Sequence, residues 1–234
     1  MSGLLFIIET LFIVTAAVLA AWFIEKRITQ KNGSAPTVMT AKKIAMIGVF
    51  AAVSGILMFI EIPVPFAPPF YKIDISEVPV LILAFAYGPV SGILCELLKV
   101  FIKLILKGTT SAFVGELANF VIGAGLILPA GFLYLGKKTK KRAIVSCILG
   151  TLCMTVFGSV FNGIYLLPKF AAIYGMPLPA IIELGTAINP RIDSVRMLVL
   201  LCVVPVNLLK GAIDTVITVV LYKQLSPVIK QERI

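Results

Sequence analysis

Residues 112–135 read AFVGELANFVIGAGLILPAGFLYL and run, after Gly136, into KKTKKR at 137–142. An apolar run of 24 residues with one charge, Glu116, is long enough to cross the hydrocarbon layer as a helix. The five cations behind it fix that end on the cytoplasmic face, because basic residues resist transfer across a bilayer. The rest of the composition agrees: 59% of the 234 residues are hydrophobic, 14% are charged, and the mean hydropathy is +1.06. A soluble core cannot hide that much apolar surface. The expected fold class is an all-α integral membrane protein.

Outward from this span, the same reading gives a six-helix transmembrane bundle. On the N-terminal side, 90–106 is one span, and 76–86 is a short one that ends at Tyr87-Gly88-Pro89. A further span over 44–62 stops at Pro63-Val-Pro-Phe-Ala-Pro-Pro69, whose prolines predict a loop on the outer surface. On the C-terminal side, 143–167 is expected to end at Pro168. A polar outer segment then covers 169–196, with a short surface helix at 178–188, and 197–222 returns to the cytoplasm. Alternating these spans puts every basic block on one side of the membrane. No period of 20 to 50 residues repeats, and no matched pair of broken segments of the inverted-repeat kind is visible.

Ahead of the bundle, Leu4 to Ile24 followed by Glu25-Lys26-Arg27 reads as one N-terminal accessory transmembrane helix entering from outside. The expected organisation is therefore an accessory helix at 1–28, a cytoplasmic linker at 29–42 and a six-helix membrane domain at 43–234. The N-terminus lies outside and the C-terminus in the cytoplasm.

The net charge of +10 does not point to nucleic acid. Thirteen of the 21 Lys and Arg sit in blocks at helix ends: Lys26, Arg27, Lys31, Lys42 and Lys43, then the five at 137–142, then Lys223, Lys230 and Arg233. Such blocks orient helices and meet anionic membrane lipid. Cys95, Cys147, Cys153 and Cys202 all lie in apolar runs without metal-ligand spacing. The chain has no histidine, so neither an imidazole base nor an imidazole ligand is available. No metal and no cofactor is expected.

Ionisable residues inside a membrane are expensive and mark either internal pairing or function. Glu96, Lys99 and Lys103 share a helix face and can simply neutralise one another. Asn207, Lys210 and Asp214, at steps of three and four, form a second stripe. It is either an internal Lys210–Asp214 ion pair or the polar wall of a cavity, and the residues alone support both. Phe161-Asn162-Gly-Ile-Tyr165 places another amide and a phenol at a similar depth, while Glu116 and Asn119 lie towards the outside of the span at 112–135. The first outer loop adds Tyr71-Lys72-Ile-Asp74-Ile-Ser76-Glu77. Two amides and a lysine at one level suit a ligand edge rich in amide and imide groups. Gly48 and Ala52, with Ala51 and Gly55 on a neighbouring stripe, allow close helix approach, either within the bundle or to a partner protein.

Five segments in this order resemble the substrate-binding S components of energy-coupling factor (ECF) vitamin transporters, most closely the riboflavin-specific branch. They are Tyr71 to Pro79, Gly88-Pro89 with Glu96-Leu-Leu-Lys99, Ser111 to Asn119, Phe161 to Pro168, and Asn207-Leu-Leu-Lys210. The similarity covers 39–222. It implies a binder in the bacterial plasma membrane with no ATPase of its own, working with a transmembrane coupling subunit and two cytoplasmic ATPases. It also implies that Asn162, Asn207 and Lys210 meet the polar edge of riboflavin, with Tyr71, Asp74, Tyr165, Glu116 and Asn119 as further candidate ligand contacts. Gly48 and Ala52 correspond to the family's docking face. The extra first helix and a long outer segment before the last span depart from the family pattern.

Two other readings compete. The same architecture can serve thiamine, folate or pantothenate, although charged vitamins ask for fixed charge where riboflavin asks for neutral amides. A membrane enzyme using Glu96, Glu116 or Asp214 is disfavoured by the absence of histidine, of a nucleophile motif and of a phosphate-binding loop.

Overall fold

The computed structural model describes residues 2–33, 38–109, 111–136 and 138–231, with side chains omitted at Ser2, Tyr174, 222–223 and 225–231. Part of the linker, Lys137 of the basic block and Arg233 lie outside the described residues, as do the side chains of Lys223 and Lys230. The chain forms helices α1 (Ser2–Lys31), α2 (Ala41–Leu57), α3 (Glu77–Tyr87), α4 (Pro89–Lys107), α5 (Val114–Gly136) and α6 (Lys140–Phe161). Helices α7 (Leu167–Tyr174), α8 (Leu178–Thr186), α9 (Val195–Leu198) and α10 (Val204–Gln231) follow. Two two-residue strands, β1 (Ile62–Pro63) and β2 (Lys72–Ile73), pair antiparallel.

Among the described residues, four helical stretches are long and apolar enough to cross a membrane: Gly3–Lys31, Val114–Gly136, Lys140–Ile173 and Val195–Leu221. Leu4, Phe12, Trp22, Ile56, Ile105, Val156, Ile164, Val216 and Val220 are all exposed, an arrangement that only a lipid surround makes favourable. The protein is a multi-pass membrane bundle.

Helix α3 is the centre of the bundle. It contacts α2, α4, α5 and α10, and every residue from Glu77 to Ala86 is buried. At 1.5 Å per residue it is only about 16 Å long, half the depth of a hydrocarbon core. One end of α3 is closed by Lys138, whose ammonium donates to the Ala86 carbonyl at 3.2 Å. The other end, at Glu77, therefore stops part-way along the longer helices, and the loop before it dips into the bundle. The space above α3 is the cavity described below.

Several boundaries differ from those read from sequence, beginning with α1, which continues to Lys31, past the expected end at 28. Helix α2 ends at Leu57 and not near residue 62, because Met58 to Ile60 form tight turns ahead of Pro63. The proline-rich outer loop contains the β1–β2 hairpin. Pro168 does not end its helix. A π turn over Asn162–Leu166 precedes α7, and the helical path continues to Tyr174. Proline clashes with the carbonyl four residues earlier, and Ile164 lies within the wider π turn, where that carbonyl is displaced. The same device recurs on the last helix. A π turn over Val199–Val203 joins α9 to α10 and accommodates Pro205, so the last span begins at Val195 and ends at Leu221, with the helix itself continuing to Gln231.

The two π turns lie against each other. Gly163 permits this, since a Cβ there would stand 3.0 Å from a Val199 methyl. We expect Gly163→Leu to force the turns apart and lower stability by about 1–3 kcal/mol. A thermal unfolding midpoint in detergent equal to that of the unsubstituted protein would refute this packing role.

Candidate functional site

The cavity above α3 has a volume of about 180 Å³. Its walls come from the hairpin loop, the start of α5, and the two π-turn helices. From the hairpin come Phe70, Tyr71 and Lys72, and from α5 come Val114, Ala118 and Asn119. The π-turn helices supply Asn162, Leu166 and Phe170 on one side and Val206, Asn207 and Lys210 on the other. The apolar wall is partly aromatic, with the rings of Phe70 and Phe170 stacked at 5.9 Å and Tyr71 tilted against Phe70 at 4.6 Å.

The base of the cavity is a buried ion network. The Lys210 ammonium lies 3.0 Å from the Asp74 carboxylate, 3.0 Å from the Asp74 carbonyl oxygen and 2.6 Å from the Glu77 carboxylate. Lys99 lies 3.1 Å from Glu77 and 2.7 Å from Glu96. Lys99 and Glu96 are both 0% exposed. Burial alone would raise the Asp74 carboxyl, but the Lys210 and Lys99 ammoniums and the Ser76 hydroxyl and amide outweigh it and hold it well below the usual carboxylate range. The hairpin is pinned separately. Glu61 pairs with Lys72 at 3.2 Å, with Lys103 at 3.4 Å and with Lys107. Burial works to raise Glu61, and these cations bring it below its ordinary value.

Asn162 accepts a hydrogen bond from the Tyr71 hydroxyl at 2.8 Å. Burial pushes that phenol up, keeping it neutral and a donor. The Asn207 amide nitrogen donates to the Ser159 hydroxyl at 3.5 Å and lies over Gly158, where a Cβ would stand 3.2 Å from it. Among the described residues, the Asn162 amide nitrogen and the Asn207 amide oxygen have no hydrogen-bond partner in the protein. Asn162 and Asn207 thus present an unused donor and an unused acceptor on the cavity wall.

Of the residues singled out from sequence, Asn162, Asn207, Lys210, Tyr71 and Asn119 line the cavity. Asp74 lies behind it, holding Lys210. Tyr165 and Glu116 do not line it. The Tyr165 hydroxyl donates to Glu9 of α1 at 2.5 Å, because the π turn rotates Tyr165 away from the register of Asn162. Glu116 accepts from the Thr109 and Ser111 hydroxyls at 3.0 Å each and ties down the α4–α5 loop. Lys210 pairs with Asp74 and Glu77, not with Asp214, whose two oxygens are buried and, among the described residues, accept no hydrogen bond. Lys103 separates from Glu96 and Lys99 and joins Glu61. Sequence reasoning passed over Glu77 as a site residue. The signal available was the pair of intramembrane lysines, each of which needs an anion within reach. The two small-residue stripes of α2 divide: Gly48 and Ala52 are exposed with open space at Gly48, while Ala51 and Gly55 are buried, Gly55 against Ile102 of α4.

A sequence model described as "ECF transporter, substrate-specific component" matches residues 42–222. The chain belongs to this family. It is similar to the riboflavin transporter FmnP of Bacillus subtilis (strain 168), 32% identical over 196 residues that cover 83% of this chain and 97% of that protein. It is also similar to the riboflavin transporter RibU of Staphylococcus aureus (strain TCH60), 32% identical with 81% and 93% covered. A solved S component of a bacterial ECF transporter superposes with a TM-score of 0.64 at 31% identity, covering 81% of this chain and 98% of that one. The family is a transport component and not an enzyme, and among the described residues no cluster of His, Cys, Asp or Glu could hold a metal ion.

The ion network makes opposite predictions for two neighbours on α10. Lys210→Met leaves Asp74 buried without its hydrogen-bonded cation and should destabilise the protein by about 3–5 kcal/mol. Asp214→Asn removes a buried carboxylate that accepts no hydrogen bond among the described residues and should leave the unfolding midpoint unchanged or raised. Comparable losses in both variants would show that Asp214 belongs to the network.

Proposed function

We propose that this protein is the riboflavin-binding S component of an ECF-type transporter, capturing the vitamin for uptake driven by partner ATPases. The observation that carries the reading is the pair of buried amides, Asn162 and Asn207, with an unused donor and an unused acceptor on the wall of an aromatic-lined cavity. The flavin pyrimidine edge offers carbonyl acceptors and an imide N–H, the complement of those groups. Phe70, Tyr71 and Phe170 suit the apolar ring face. Lys210 stands at the foot of the amides and meets a ligand carbonyl by exchanging one of its present acceptors, and Asn119 completes the polar rim. The names of the relatives support the same ligand. Fixed charges suited to a charged vitamin are largely engaged with one another at the cavity base.

The finer topology belongs to this reading: six core spans over 43–234, preceded by α1 as an accessory span and the linker, in a bacterial plasma membrane. The N-terminus and the cavity face outward and the C-terminus lies in the cytoplasm, as the basic residues near 138–142 require. The exposed stripe of Gly48 and Ala52, extended by Ala45, is the docking face for a transmembrane coupling subunit that works with two cytoplasmic ATPases.

Protein purified from riboflavin-supplied cells should be yellow with quenched flavin fluorescence. Colourless protein that takes up no riboflavin after stripping and refilling rejects the ligand assignment. Asn162→Ala and Asn207→Ala should each weaken riboflavin binding by about 1–3 kcal/mol in a titration, and equal affinities would remove the amides from the site. Gly48→Trp should leave riboflavin binding intact and abolish ATP-dependent uptake by the assembled transporter. Impaired binding in that variant would make the stripe a packing element of the bundle.

A further inference from the structure

Helix α1 lies outside the region matched by the family, yet it is tied to the bundle by a carboxylate near each end. Glu25, 2% exposed, accepts from the Val90 backbone N–H at 2.7 Å at the start of α4. That is the position where helix N-termini favour negative charge. Gly88, at φ +97°, leaves the room this needs, since a Cβ there would stand 2.7 Å from a Glu25 oxygen. Sixteen residues earlier, or about 24 Å along the helix, Glu9 accepts from the Tyr165 hydroxyl at 2.5 Å and pairs with Lys169 at 2.6 Å. The Lys169 ammonium also lies 5.4 Å from the centre of the Tyr165 ring, closing a three-membered cluster.

The segment this cluster grips is a wall of the cavity. Tyr165 sits inside the π turn that begins with Asn162, and Lys169 is flanked by the cavity-lining Leu167 and Phe170. Phe6 of α1 is buried in the same apolar cluster as Leu166, which also lines the cavity. A π turn interrupts the α-helical hydrogen-bond ladder for one turn and is frequent at functional sites, so this wall is the irregular part of its helix and gains from support by a neighbour. Anchored at Glu25, α1 supplies that support from outside. We propose that α1 is a built-in strap, with Glu9 as a positioning residue that holds the 162–170 wall closed over the ligand and slows its release. The release step rests on the riboflavin reading; the hold on the wall does not.

Two measurements on the full-length protein test it. In ligand-free protein, Glu9→Gln should speed hydrogen–deuterium exchange of the amides at 163–174 about fivefold, the loss of one coupled hydrogen-bonded pair, and leave α3 and α10 unchanged. In riboflavin-loaded protein, Glu9→Gln and Lys169→Met should each raise the flavin dissociation rate by a similar factor. The double variant should be no faster than either single one, and the unfolding midpoint should stay the same. Unaltered exchange at 163–174 overturns the strap whatever the ligand proves to be. Altered exchange with an unaltered dissociation rate overturns its role in release. A Glu9→Gln protein that fails to fold would contradict Glu9's partly exposed setting, and Tyr165→Phe then gives the same two readouts without touching α1. Faster exchange in Glu9→Gln together with an unsubstituted protein that binds no riboflavin rejects the ligand assignment alone.

Discussion

The arrangement depends on placing two ammonium groups inside a membrane bundle. Lys99 and Lys210 are both buried, and neither is tolerable there without anions at hydrogen-bond distance. Their partners come from three directions: Asp74 from the hairpin loop, Glu77 from the start of α3, and Glu96 from α4. Satisfying Lys210 therefore draws the loop into the bundle and fixes where α3 begins. A buried ion pair need not add net stability over a well-packed apolar core, but separating its members is severe. The network acts mainly as a registration device, since any shift of the loop, α3, α4 or α10 strands a charge. Asp214 shows how strict that registration is. One turn from Lys210 on the same helix, it is outcompeted by two carboxylates from elsewhere and, among the described residues, accepts no hydrogen bond.

The cavity follows from that start point. Because α3 begins at Glu77 and is about 16 Å long, the upper half of the bundle lacks a central helix, and side chains from the surrounding elements face one another across the gap. The two π turns then set what they present. Each lets a proline remain within a continuing helix, and the cavity-lining residues cluster around them, 162, 166, 167 and 170 on one and 203, 206, 207 and 210 on the other. These are matched local distortions of unbroken helices, unlike the discontinuous helices of inverted-repeat carriers.

What could be read from the sequence was what has a one-dimensional signature. The apolar runs ending in cations locate α4, α5 and the start of α6 to within a few residues, and the short span at 76–86 is α3 almost to the residue. The stripe of Asn207 and Lys210 and the amide of Asn162 were recognisable because polar groups inside apolar runs demand an explanation. What could not be read depended on geometry created by folding. A proline normally marks a helix end, so the continuation through Pro168 was invisible without the π turn, and the same turn carries Tyr165 away from Asn162. Lys210 has an acidic neighbour on its own helix, and helical spacing favours that pair. Only the dip of the hairpin loop, a tertiary feature, reveals that Asp74 and Glu77 lie nearer.

The chemistry of the wall is best understood from what the network leaves over. Lys210 has three N–H donors, and three acceptors from Asp74 and Glu77 already surround them. Its charge is balanced at the cavity base, so on the proposed reading a ligand entering the cavity meets the neutral amides of Asn162 and Asn207 first. Neutral amides discriminate by pattern and not by charge: a ligand edge lacking the matching acceptor or donor leaves a buried polar group unsatisfied, whereas a matching one costs little beyond its own desolvation. A binder built this way can enclose an uncharged, hydrogen-bonding heterocycle tightly without also attracting every anion or cation at the membrane surface. On that reading the buried charges contribute to selectivity indirectly, by holding the amide-bearing helix in register while keeping their own field largely cancelled.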